Sequence, residues 1–183
     1  MKKILVALLA LAAVAPLSAE KLADFTGGMG RVSIISSKAE VVALPQTEVV
    51  DDAGVASGKA LKLMLSEPQE GRKFARCDVV VNLDAGQAAK AKKIAFDLQL
   101  GSKKAFGWSV VYLFKEKRRG SIAKSLKPKL FTGGEWQHFD VPVSEMENPK
   151  GKAITPDEAA MLVISFFYFA PMEIRIANIE FTE

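Results

Sequence analysis

Trp108, Tyr112 and Phe114 occupy even positions of one apolar run, Trp-Ser-Val-Val-Tyr-Leu-Phe. In an extended strand alternate side chains share a face, so this spacing puts all three rings on one side. Open aromatic rings can stack on the apolar faces of sugars while neighbouring polar side chains bond the hydroxyls. Trp108 and Tyr112 are the platform this spacing predicts. Tyr168, in the apolar run from Met161 to Ala170, adds a candidate ring, and Arg175 a candidate polar contact beside Glu173 and Gln99. The same rings could instead fill a core, and the sequence does not say which face is open.

Catalytic patterns are weaker. A glycosidase needs two carboxylates roughly 5–10 Å apart across a cleft, and no motif ties Asp97, Glu135 and Asp140 together. Ser-His-Asp chemistry would have to use His138, the single histidine. Gly27-Gly28-Met29-Gly30 precedes a strand-like run, Val32 to Ile35, whereas a phosphate loop opens a helix, so it reads as a turn. No cluster of His and Cys offers zinc ligands. Cys77 is the only cysteine, which excludes an intramolecular disulfide, and it reads as a small buried hydrophobe. No catalytic residue is assigned.

The elements that must position these residues are strands. Leu61, Leu63 and Leu65 alternate with polar or exposed types, as do Ile94, Phe96, Leu98 and Leu100, and Phe139, Val141 and Val143. A period of two places one face on a core and the other toward solvent. The runs 108–114 and 161–170 are apolar on both faces and belong centrally. In the last strand Met172, Ile174 and Ile176 share one face while Ile179 and Phe181 take the other, which predicts a bulge near Ala177-Asn178. Helix is confined to short turns, one at Thr155-Pro156-Asp157-Glu158 and one within Asp84–Lys93. Val41–Gly58, with Pro45, Asp51-Asp52 and Gly54, reads as a long connection. This pattern predicts an all-β, two-sheet antiparallel sandwich or barrel.

Three segments carry a resemblance. Gly58-Lys59-Ala60-Leu61-Lys62-Leu63 is similar to an early jelly-roll strand. Gly134-Glu135-Trp136-Gln137-His138-Phe139-Asp140-Val141-Pro142-Val143 resembles a Trp-containing strand ending in Val-Pro-hydrophobic. Arg175-Ile176-Ala177-Asn178-Ile179-Glu180-Phe181 resembles a closing strand, and Asp24-Phe25 an opening one. In this order they resemble the galactose-binding-like jelly rolls, which include carbohydrate-binding modules and the complex I intermediate-associated protein domain. The resemblance implies a β-sandwich that binds carbohydrate without catalysis and places Trp136 in the core. It also implies a calcium site, for which Asp24 and Asn178 are the remaining candidate ligands. Ala177 stands where such closing strands often carry an Asp ligand, which weakens that site.

The N-terminus sets the address. Lys2 and Lys3 precede an apolar run, Ile4 to Val14, then Pro16, Ser18 and Ala19, the pattern of a signal peptide cut before Glu20. The run is shorter than the roughly 20 residues that span a bilayer. Residues 1–19 are thus expected to be a leader and 20–183 one domain, exported to the periplasm or outside the cell. Formal net charge is +4 for the whole chain, and the leader takes two lysines, so nucleic acid is not the expected partner. Residues 101–129 hold nine Lys or Arg against Glu116 alone. That block could meet an anionic polysaccharide or headgroup, or simply form a solvated hairpin. The expected partner is a glycan. An envelope protein gripped by the same face or a strand edge, with no sugar ligand, is the second reading, and a small secreted carbohydrate-active enzyme the third.

Overall fold

The computed structural model describes residues 19–101, 107–115, 124–126, 133–146 and 156–183, with backbone alone for 107–110, 112, 114, 115 and 124–126. Residues 1–18 of the expected leader lie outside the described residues, as do Thr155 and, in the basic block, Lys117, Arg118, Arg119, Lys127 and Lys129.

The chain is built from β1 (Ala19–Ala23), β2 (Val32–Ser36), β3 (Gln46–Asp51), β4 (Lys59–Leu65), β5 (Ala75–Asn82) and β6 (Lys93–Leu100), followed by β7 (Gly107–Lys115), β8 (Lys124–Leu126), β9 (Gln137–Pro142), β10 (Ala159–Tyr168) and β11 (Met172–Thr182). They form two antiparallel sheets. The first runs β3-β4-β11-β6-β9, with β1 also paired to β11; the second runs β2-β5-β10-β7-β8. The two-sheet antiparallel β-sandwich expected of the sequence is the architecture found.

Alternation decides what each strand buries. Leu61, Leu63 and Leu65 on β4, Ile94, Phe96, Leu98 and Leu100 on β6, and Phe139 and Val141 on β9 all join one apolar core. From the other sheet Cys77, Val79 and Val81 of β5 meet them, with Leu162, Ile164, Phe166 and Tyr168 of β10. Phe96 stacks on Phe139 with ring centres 5.5 Å apart. Each such side chain contributes ~1.5–3 kcal/mol by leaving water, and no disulfide is needed.

The phase change in β11 has its predicted cause. Register with β6 shifts between Ala177 and Glu180, and Asn178 sits there at φ 50°. The extra residue re-aims the strand, so Ile179 and Phe181 return to the core. The turn at Pro156–Glu158 is a single 3-10 turn. Within Asp84–Lys93 the backbone closes successive three-residue turns, Gln87 N–H to Asp84 and Ala91 N–H to Ala88.

Two expectations are corrected. Val41–Gly58 is not all connection: Gln46–Asp51 is β3, paired with β4 from Asp51↔Lys59 to Gln46↔Met64. Being an edge strand, it buries little and carries polar Gln46, Glu48 and Asp51, so it lacks an apolar alternation. Trp136, placed in the main core by the resemblance, packs instead on the outer face of the first sheet. There it joins a separate small cluster of Val55, Ala60 and Ala177.

Candidate functional site

The candidate site is the outer face of the second sheet. On β10 the even residues Leu162, Ile164, Phe166 and Tyr168 point into the core, which leaves Met161, Val163, Ser165 and Phe167 on the opposite face. There Val163, Ser165 and the neighbouring Val80 are themselves buried, and exposure is confined to the ends of the rows. Register then builds rows across this face. Phe167 stands between Arg76 of β5 and Trp108 of β7, Ser165 between Asp78 and Val110, and Val163 between Val80 and Tyr112. Val111 and Leu113 are buried in the core, so alternation gives Trp108 and Tyr112 positions in the outer rows.

At the end of this face three phenylalanines meet. Phe74, just before β5, is edge-on to Phe167 with ring centres 5.8 Å apart. Phe74 is also edge-on to Phe169, just after β10, at 6.4 Å. Phe74 and Phe169 stay 47% and 45% exposed, an unusual outlay of apolar area for turn residues. Ile35 of β2, paired with Asp78, is 55% exposed on the same face.

Polar groups lie directly beside the rings. The Arg76 guanidinium sits 5.6 Å from the centre of the Phe167 ring, within cation–π range. Arg76 Nε donates to Asp78 Oδ1 at 2.7 Å, and the Ser165 hydroxyl donates to the same oxygen at 2.5 Å. Ser165 is fully buried, so it needs this acceptor. Between Arg76 and Asp78, Cys77 turns inward. Burial, and then the Asp78 charge, push its thiol up to about 12, which leaves it inert.

Other candidates fall elsewhere. Tyr168 is fully buried in the core and offers no ring to a ligand; burial first, then nearby charges, push its phenol up to about 12. The period-two rule explains this correction, since Tyr168 shares the inward face with Phe166. Arg175, Glu173 and Gln99 lie on the opposite side of the sandwich from β7. Arg175 donates from Nη1 to Asp52 at 2.9 Å and from Nε to Glu173 at 2.8 Å. It ties the β3–β4 hairpin to β11 and is not a neighbour of Trp108.

His138 Nδ1 is 2.7 Å from Asp97 Oδ1, and its Nε2 is 3.6 Å from Asp140. Both described partners are carboxylates, and among the described residues no nucleophile is brought to the ring.

The calcium ligands do not fit. The carboxylate of Asp24 accepts from the N–H and hydroxyl of Thr26, whose hydrogen bonds hold it below the usual carboxylate range. Asn178 turns its amide N–H toward Asp97 at 2.6 Å, so a donor stands where calcium needs one of its 6–8 oxygens. Among the described residues no group of three or more His, Cys, Asp or Glu could hold a metal ion.

With this geometry in view, solved structures place the architecture. A family 11 carbohydrate-binding module from Clostridium thermocellum, solved with a β-1,3-1,4-mixed-linked tetrasaccharide, aligns with TM-score 0.60 at 18% identity, covering 91% of this chain and 96% of that one. A family 30 module of a Clostridium thermocellum cellulosomal cellulase aligns with TM-score 0.58 at 14% identity, covering 90% and 96%. The chain has the fold of a carbohydrate-binding module. An exo-β-agarase matches too, with TM-score 0.58 and 12% identity over 87% of this chain but only 24% of its own. No family model matches the sequence, and no curated protein matches it.

Sequence reasoning missed Phe74, Phe169, Arg76, Asp78 and Ser165. The polar residues left a trace: Arg76 and Asp78 flank an inward Cys77, and Ser165 interrupts an otherwise apolar run. The two phenylalanines left none, because they sit in turns where period-two patterning ends.

Proposed function

We propose that this is an exported, non-catalytic carbohydrate-binding domain whose ligand lies across the outer face of the second sheet. The observation that carries the reading is the half-exposed ring of Phe74, packed edge-on to both Phe167 and the half-exposed Phe169, with Arg76 and Asp78 alongside. Stacking on those rings supplies affinity, and the polar pair selects among hydroxyls. The Trp108 and Tyr112 positions extend the strip along β7. Export is read from the leader-like pattern of residues 1–19. No helix among the described residues is long and apolar enough to cross a membrane.

The test is retention of residues 20–183 on a panel of immobilised neutral and acidic polysaccharides. The proposal expects specific retention on one or a few of them, weakened by Phe74→Ala and by Trp108→Ala in variants that melt like wild type. Retention on none, with an envelope protein captured instead, would establish the second reading.

A further inference from the structure

Asp78 is the only carboxylate among the described residues that lies in the rows of this face, and its two oxygens differ. Oδ1 accepts twice, from Arg76 Nε and from the Ser165 hydroxyl. Among the described residues no hydrogen-bond partner meets Oδ2, and the side chain keeps 14% exposure. The Ser165 hydroxyl comes from the position directly across on the central strand β10, which is fully buried, while Arg76 holds the carboxylate from the side of the Phe167 ring. Two donors on one oxygen hold the group in place and leave the second oxygen as the acceptor not used by these contacts.

The described rings here are all phenylalanines, which carry neither donor nor acceptor. Beside those rings, polar selection among the described side chains therefore falls to this clamp. An ionised carboxylate only accepts, so a ligand must bring it a donor. A sugar hydroxyl does so; a sugar carboxylate at neutral pH cannot, and would be held against a like charge in a partly desolvated place.

Resting on the glycan reading above, we infer that the Ser165–Asp78–Arg76 clamp makes this face selective for neutral glycans over sugar acids. Asp78 accepts from a hydroxyl at the edge of a pyranose ring whose apolar side stacks on Phe167 and its neighbours. Ser165 is a positioning residue that acts through Asp78. The basic block at 101–129 would then contribute long-range, salt-sensitive attraction but not the selection itself.

The experiment compares each retained neutral polysaccharide with its counterpart oxidised at C6 to the uronate, which keeps the stereochemistry and adds one carboxylate. Wild type is expected to prefer the neutral member by about tenfold or more, the scale set by leaving a charged acceptor unsatisfied. Asp78→Asn, close to isosteric, is expected to weaken binding to the neutral member and bring the ratio to within about threefold. Ser165→Ala is expected to narrow the same ratio, a readout that mere loss of stability would not move. Equal binding of both members by wild type, a preference for the uronate, or an unchanged ratio in Asp78→Asn would each overturn the inference while leaving the glycan reading intact. Retention on no glycan at all would overturn both.

Discussion

The indole N–H of Trp136 donates to Asp52 Oδ1 at 3.2 Å, joining the start of β9 to the hairpin between β3 and β4 across the outer face of the first sheet. Arg175 reaches the other Asp52 oxygen, and the Gly54 N–H reaches the first at 2.9 Å. Burial raises the cost of charging Asp52, but these three donors outweigh it and hold the carboxyl below its ordinary value. A carboxylate so satisfied is a latch, and it makes the two faces of the sandwich unlike. One is closed over by a loop, and the other keeps its phenylalanines in water.

The latch depends on Gly54. A Cβ there would come within 2.5 Å of Trp136 Cδ1, closer than any real contact, so the indole or the loop must move. Gly54→Ala should cost about 1–3 kcal/mol in chemical denaturation. Glycan retention should be unaffected, because the strained ring lies on the face away from Phe74. A stability equal to wild type would show that the loop does not seat on Trp136.

At the exposed end of the other face, Phe74→Ala and Phe169→Ala each remove a half-exposed ring. Little core is lost, so melting temperature should fall by no more than a few degrees. Affinity for a retained glycan should drop about tenfold, the order expected for one stacked ring. Titration calorimetry on the single variants checks this, and unchanged affinity in both would remove the phenylalanines from the site.

His138 gives the fold a pH dependence with a definite sign. Burial opposes charging the ring, but the hydrogen bond and charge of Asp97, then Asp140, outweigh it and raise the folded-state pKa above the ordinary 6.5. The folded protein therefore binds this proton more tightly than the unfolded chain does. The stabilisation is fully present below pH 6.5 and is lost as pH rises through the raised value. Melting at pH 5.5 and pH 8 should show wild type losing stability relative to His138→Gln across that interval. Parallel curves would mean that the Asp97 contact does not bias the ring.

How much of this was legible depends on whether a local rule reached the residue. Period two placed Leu61, Ile94 and Phe139 on the core face and predicted the bulge at Asn178, since each follows from sequence neighbours alone. Tyr168 was misread because a central strand is apolar on both faces, so type does not reveal which side is open. Arg175 was misplaced because strand order is non-local: β11 pairs with β4 and β6, in the sheet that does not contain β7. Asp78 became a site residue only through Ser165, 87 positions away, a contact that no spacing rule encodes.

Ala177 reads from sequence as a missing calcium ligand, and its surroundings give it another role. It is fully buried in the small cluster with Val55 and Ala60, against the Trp136 ring, and it pairs with Asp97 of β6. A larger side chain there would push on the latch, and a carboxylate would be buried beside the like charge of Asp97. Ala177→Asp, which puts the acid of the galactose-binding-like closing strand at this position, should therefore destabilise by several kcal/mol. Calcium should not rescue it, because Asn178 directs an N–H and not an oxygen toward Asp97. For the same reason EDTA should leave the wild-type melting temperature unmoved. A calcium-dependent rise in the melting temperature of either protein would reverse the assignment and return Asp24 and Asn178 to a metal site.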